Sequence, residues 1–383
     1  MEWDILIIGG GPAGLSTALH IQKIAPHLAP RVLILEKARH PRPKLCAGGL
    51  TLDAEAILEG LGLDTREVPH VDSSELCFNF EAKGLNIRFP QRHALRVIRR
   101  DEFDNWLANK AKEKGVEIWE EITVKNVLPY HDGVTVETNE GTFHAQIVVG
   151  ADGSNGITRR CLFSHVPPHT ARVLEVLTPA RNPTSRAKTA FFDFFPIPNN
   201  IAGYVWDFPT QIEGKPMRCW GIYDTNILAN GRRPPLKEPL AKEMARQGFV
   251  LDDYEVKAHP IRWFSPWNPI AVPRVLLVGD AAGADPLFGE GISIALGYGA
   301  IAAREIVESL QRGEFSFSEY KRRVMRSALG RTLLVRWLIA YVLYSLKWKW
   351  FQKIFWWGWK PIILVVAWLF VLNWGRKMRR EIA

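Results

Sequence analysis

An apolar run closed by three spaced glycines constrains this chain more than any other feature. Residues 4–14 read Asp-Ile-Leu-Ile-Ile-Gly-Gly-Gly-Pro-Ala-Gly. Ile5 to Ile8 is uninterrupted, as a parallel strand buried on both faces requires. Gly9, Gly11 and Gly14 then stand at the G-x-G-x-x-G spacing. That spacing permits a tight turn, a close backbone approach to a pyrophosphate, and a helix packed hard on the strand. The helix expected from Leu15 to Ile24 aims its free N–H groups and positive dipole end at the phosphates. A second strand over 31–36 ends in Glu36, about twenty residues beyond the glycines, where the partner of a ribose hydroxyl belongs. The glycines alone would be a weak signal. With the strands, the helix and Glu36 they specify a dinucleotide site.

Composition excludes several other classes. A chain of 383 residues has room for two domains or one large composite fold. Cys46, Cys77, Cys161 and Cys219 show neither C-x-x-C pairs nor a disulfide framework, so a reducing compartment is expected. The histidines, among them His20, His27, His40, His93, His131, His144 and His165, are scattered without metal-ligand spacing, and no metal is expected. The nucleotide-binding strand begins within the first five residues, so no signal peptide is expected. The net charge of +9 does not indicate nucleic acid. From Arg331 onward there are ten Lys/Arg against one acid, Glu381, which accounts for the whole excess.

That basic tail is also apolar. It holds eight of the fifteen tryptophans: Trp337, Trp348, Trp350, Trp356, Trp357, Trp359, Trp368 and Trp374. Thr332 to Leu346 is broken only by Arg336, and Ile354 to Trp374 only by Lys360 and Asn373. Tryptophan and Lys/Arg flanking aliphatic stretches are what a bilayer interface selects. A pair of buried helices closing a soluble fold is the alternative. The expectation is a helix or helical hairpin in or through the interface, docking the protein while its chemistry resides in the body.

Between these ends, 101–114 reads as a helix, 116–122 as a strand, and 134–138 with 142–149 as a hairpin. From about 165 to 265 helical patterns are few and aromatics many, which suits an antiparallel sheet. Val275 to Val278 returns to a buried strand, followed by Gly279-Asp280 and a helix from about Ile292 to Gln311.

Four segments resemble the large group of FAD-dependent oxidoreductases that includes aromatic hydroxylases, flavin halogenases and geranylgeranyl reductases. They are the glycine loop with Glu36, the Arg100-Asp-Glu-Phe-Asp104 element, Gly150-Ala-Asp-Gly153, and Gly279-Asp280 with the Pro286 to Ile292 loop. The resemblance implies FAD, held by Gly9, Gly11, Pro12, Ala13, Gly14, Glu36 and Lys37 at one end. It further implies Arg100, Asp152 and Gly153 near the cofactor, Asp280 at its ribityl chain, and Gly289, Gly291 and Ile292 beside the flavin ring. Two further segments resemble the geranylgeranyl reductases in particular. Pro43-Lys-Leu-Cys-Ala-Gly-Gly49 is similar to their cysteine-glycine-glycine element, which implies Cys46, Ala47 and Gly48 beside the flavin and Cys46 as a catalytic residue. Gly203-Tyr-Val-Trp-Asp-Phe-Pro209 matches their Y-x-W-x-F-P signature, which implies Tyr204, Trp206 and Phe208 around a lipid substrate. Halogenases carry a related element from which Tyr204 and Phe208 depart.

The fold expected is therefore α/β: a Rossmann-type FAD-binding domain (1–165 and 266–312), an antiparallel-sheet substrate domain (166–265) and a C-terminal helical tail (313–383). The activity expected is saturation of isoprenoid double bonds on the cytoplasmic face of a membrane. The alternative is a flavin monooxygenase or dehydrogenase acting on a lipid or quinone. No second dinucleotide fingerprint is visible, so the electron donor is expected to be transiently bound NADPH or a reduced carrier protein.

Overall fold

The computed structural model describes residues 2–89, 91–167, 169–181, 186–228 and 233–382. Five parallel strands form its first layer, in the spatial order Val275–Leu277, Gly141–Gly150, Glu2–Ile8, Val32–Leu35 and Glu117–Trp119. Ala271–Val272 pairs antiparallel at one edge. The expected strand over 116–122 is shorter because Glu121 takes a left-handed conformation (φ 65°) and turns the chain away. The first helix is Pro12–Ile24, one turn earlier than expected, since proline is pre-shaped for the first helical position. It packs with Ile292–Arg312 over one face of the sheet. Gly299 makes that approach possible: a Cβ there would lie 2.6 Å from Ser16 Oγ, which instead donates to Leu296 O at 2.8 Å. Connections leave Glu2–Ile8 and Gly141–Gly150 in opposite directions, opening a crevice at their carboxyl ends where ligands of such sheets bind.

The second sheet has seven strands, ordered Lys257–Arg262, Thr170–Pro179, Lys215–Asp224, Gly203–Ile212, Thr189–Asp193, Glu75–Phe80 and Lys83–Arg88. Two departures from the sequence reading are informative. The last two strands come from 75–88, inside the stretch assigned to the first unit, and Glu75–Phe80 pairs parallel with Thr189–Asp193 in an otherwise antiparallel sheet. A helix, Lys237–Arg246, also forms within 166–265. It sets Leu240 and Met244 against Val176, Trp220 and Ile222 on the sheet's outer face. The inner face carries Val173, Tyr223, Tyr204, Trp206, Phe208 and Phe192. Gly221, opposite Trp206, leaves room for the indole, because a Cβ there would lie 2.0 Å from its Cζ2.

The tail is helical, as expected, but it is not an appendage. Ala328–Ser345 buries Leu329, Leu333, Arg336, Ala340, Leu343 and Tyr344 against the body. Trp356 stacks on Phe194 at 4.1 Å. Trp374–Ile382 returns to dock on Leu52–Gly60, where Gly375 N donates to Asp53 Oδ1 at 2.9 Å. The expectation that the site belongs to the body alone is corrected below.

Candidate active site

One cavity of about 840 Å³ runs from the glycine loop to the aromatic sheet face and on to the tail. At its polar end the three glycines do different things. A Cβ at Gly9 (φ +113°) would meet Ala151 O at 2.4 Å, and one at Gly14 would meet Gly9 O at 2.1 Å. Both positions are dictated by packing. A Cβ at Gly11 would face only Arg42 Nη2, at 3.6 Å, so that backbone is bare toward the cavity. Glu36 closes this end, its Oε2 accepting from Gly10 N at 2.8 Å and its Oε1 from Ala38 N at 3.1 Å. Pro12, Ala13 and Lys37 line the same end. Arg42, which the sequence reading missed, bridges Glu36 (3.2 Å) and the buried Asp104 (3.4 Å).

Further in, Gly279 (φ +58°) approaches Ala13 so closely that a Cβ would stand 2.6 Å from the alanine methyl. Asp280 beside it accepts from Ser154 Oγ at 3.2 Å and faces the cavity. Asp152 is spent differently. Its Oδ2 accepts from Thr158 N (2.8 Å) and Thr158 Oγ1 (2.9 Å), so it holds the turn through Gly153 and caps the Ile157–Phe163 helix. Arg100 is locked in a two-pronged pair with Asp104, both contacts at 2.8 Å. Gly289 (φ +66°) passes under the Tyr223 ring, and Gly291 caps the N-terminus of Ile292–Arg312 at the cavity wall. The dipole of that helix favours negative charge there.

Cys46 lies on the loop opposite. Gly48 (φ +79°) turns it, donating its N–H to Cys46 Sγ at 3.4 Å, while Ile98 N donates to Gly48 O at 2.9 Å. Burial pushes the Cys46 thiol up, with the Arg100 guanidinium as the main opposing influence. Ala47 lines the cavity beside it. Burial also lowers the Lys44 ammonium. It lies against His259 Nε2, whose imidazole burial and Lys44 together push down to about 4. Neither basic residue was singled out from the sequence, because their contact joins positions 215 apart.

The structure brings Tyr204, Trp206 and Phe208 together on the cavity wall. Phe192, missed in the sequence, sits among them, 5.3 Å from the Tyr204 ring and 4.9 Å from Phe208. The Tyr204 hydroxyl donates to Phe288 O at 2.5 Å, which ties the wall to the Asp285–Gly291 loop, and burial holds its phenol well up.

The tail completes the enclosure. Trp356, Ile363, Ala367, Trp368 and Val371 line the apolar end. Arg336, buried at 2% exposure, bridges Asp285 Oδ2 (2.9 Å) and Glu290 Oε2 (2.5 Å) and donates to Val371 O (2.9 Å). Tyr344 donates to Leu287 O at 2.5 Å. The Asp285–Gly291 loop is thus held from the tail side, which corrects the reading of the tail as a docking device alone. The available signal was a lone arginine in an otherwise apolar helix.

These residues fit FAD. A long ligand needs two separated backbone sites, and the bare Gly11 with Glu36 at one end and Asp280 with Gly291 at the other provide them along one cavity. The fold and this double site define a flavin-dependent oxidoreductase, and the chain matches the FAD binding domain family over residues 2–320. It is 30% identical over 343 residues to digeranylgeranylglycerophospholipid reductase 1 of Methanopyrus kandleri, covering 84% of this chain and 85% of that one. Among solved structures, a geranylgeranyl bacteriochlorophyll reductase-like protein of Thermoplasma acidophilum superposes with a TM-score of 0.77 at 22% identity, covering 100% of this chain and 96% of the other. A variant of the halogenase PltM solved with FAD gives 0.70 at 18% identity, covering 99% and 85%. These last two speak for the fold alone. The chain belongs to the geranylgeranyl reductase family of FAD-dependent oxidoreductases.

Proposed function

We propose that this enzyme saturates carbon–carbon double bonds of an isoprenoid lipid and does so docked on a membrane surface. The observation that carries the reading is the cavity: its cofactor end opens directly into a chamber walled by Phe192, Tyr204, Trp206, Phe208 and the tail. Such a chamber takes a hydrocarbon chain and has few polar groups to orient anything else. Reduced FAD is a hydride donor. The protein must hold the alkene, exclude water and provide a proton. The position of Cys46 at the cavity near Arg100, with a thiol that burial pushes up, supports giving it the last task.

Mixing the anaerobic, reduced protein with a geranylgeranyl lipid is expected to restore the yellow absorbance of oxidised flavin. In Cys46→Ala that phase should slow by about 10²–10⁴-fold, the usual contribution of a general acid, with FAD still bound. An unchanged rate with altered melting would make Cys46 a packing residue.

Membrane docking is supported by where apolar surface is left uncovered. Among the described residues, eighteen large apolar side chains are exposed, and fourteen of them lie between Leu334 and Leu372. Trp348, Trp350 and Trp368 are about 60% exposed, and Lys347 and Lys349 flank the first two in sequence. Lys360–Glu381 is long and apolar enough to cross a bilayer by composition. Trp356 just before this segment and Trp374 and Met378 within its last part are buried against the body, which favours a helix lying in the interface. Each Lys/Arg near an anionic surface adds on the order of 1 kcal/mol. The protein should float with anionic vesicles at low salt and be only partly stripped at high salt, since screening leaves the apolar term. A Trp348→Ser/Trp350→Ser/Val365→Ser variant should stay in the soluble fraction and keep FAD. Parent protein that fails to float at low salt would refute docking.

A further inference from the structure

The cavity face of the seven-stranded sheet holds a carboxylate that the proposed reaction leaves without a role. Glu175, on Thr170–Pro179, shares a cross-strand row with Gly221 and Trp206. Among the described strand residues of that sheet lining the cavity it is the one acid; Val173, Trp206 and Tyr223 share its wall, and Lys257 stands opposite it on the edge strand. It is 9% exposed, and its Oε2 is buried without a hydrogen-bond partner. Its carboxyl also faces the backbone N–H of Cys46. A bare carboxylate in such a wall is costly, whereas a protonated one is not. We propose that Glu175 is the proton store of the active site, holding the proton that recharges Cys46 after each reduction.

The inference rests on the alkene-reductase reading and adds the source of its proton. Saturating one double bond forms two C–H bonds, one from the hydride of reduced FAD and one from an acid. The Cys46 S–H bond breaks as the second C–H forms, leaving a thiolate. The Glu175 O–H bond then breaks as S–H re-forms, and the carboxylate takes a proton from water at the cavity mouth. Burial makes the order of transfer downhill. It holds the Cys46 thiol above its ordinary value near 9, and raises the Glu175 carboxyl to about 7. The thiolate left by reduction therefore holds a proton more tightly than the Glu175 carboxylate does. The charged groups facing Glu175 are Arg99 and Lys257, which oppose the rise, with the thiols of Cys46 and Cys219 alongside. Arg100 and Lys44 act on the Cys46 side.

Glu175→Gln separates proton storage from positioning, because the amide keeps the size of the carboxyl and still faces the Cys46 N–H but is no acid. Infrared difference spectra of the FAD-loaded protein between pH 5.5 and 8.5 should show a protonated-carboxyl stretch that shifts in D2O and disappears near pH 7. That band should be missing in Glu175→Gln, whose FAD absorbance is unchanged. Steady-state reduction of a geranylgeranyl lipid by the variant should fall about 10²-fold, and the parent's loss of rate above pH 7 should flatten. The spectroscopic arm needs no turnover, so it reads Glu175 even if the parent reduces no alkene. The inference is overturned by a parent without the titrating band, or by a Glu175→Gln variant within twofold of parental turnover.

Discussion

Gly11→Trp is expected to give a folded protein that has lost its yellow colour. The backbone of Gly11 is extended (φ −90°, ψ −178°), a conformation open to any residue, and a Cβ there meets nothing closer than Arg42 Nη2 at 3.6 Å. An indole at this position therefore leaves the fold alone and fills the space the pyrophosphate needs. Gly9 and Gly14 could not be used in this way, since any side chain there strikes backbone within 2.5 Å. The ratio of flavin to protein absorbance should drop from one FAD per chain to near zero, with far-ultraviolet circular dichroism unchanged. Stoichiometric FAD in a folded Gly11→Trp protein would show that the glycine loop does not hold the cofactor.

Arg336→Met should be the most damaging single change in the tail. It removes the partner of two carboxylates at once, the buried Asp285 and the half-buried Glu290. Breaking a buried pair on one side costs about 3–5 kcal/mol, because the remaining charge is left without compensation. The loss should depend on pH in a defined direction. Without the guanidinium, the folded pKa values of these acids rise above their unfolded values, so the folded state binds more protons and stability falls as pH rises. Burial already raises Asp285, and raises the neighbouring Asp53 to about 6. Unfolding measured at pH 5.5 and 8 should therefore show a smaller deficit against the parent at the lower pH. FAD should leave Arg336→Met early in the melt, because the Asp285–Gly291 loop loses its anchor. For the same reason a chain cut at Arg331 should lose its FAD. Equal stability of variant and parent at pH 8 would contradict the bridging role.

How much of this was legible in the sequence follows from how local each signal is. The glycine loop, the strand before it and Glu36 fall within about forty residues and obey backbone rules, so they could be read directly. Tyr204, Trp206 and Phe208 alternate on one strand, and their shared face follows from that period alone. The placement of Glu75–Arg88 could not be read, because its parallel pairing with Thr189–Asp193 spans more than a hundred residues and leaves no local trace. Arg336 showed only as a break in an apolar stretch; its two acidic partners lie 46 and 51 residues away. Glu175 is the subtler case. An acid in a strand normally marks the solvent face, and only the register against Gly221 and Trp206 shows that it points inward. The tail was read correctly as apolar and helical. Its wall-forming role was invisible, because the residues it meets are set by tertiary packing.

The cavity is expected to deliver hydrogen to an isoprenoid double bond. The most direct test is to reduce the FAD-loaded protein without oxygen, add a geranylgeranyl lipid in vesicles, and weigh the product by mass spectrometry after a single turnover. The expected product is heavier by two hydrogens, in an amount matching the flavin reoxidised. A product that gains oxygen when air is admitted, with no gain of hydrogen under anaerobic conditions, would contradict it and make the enzyme a monooxygenase.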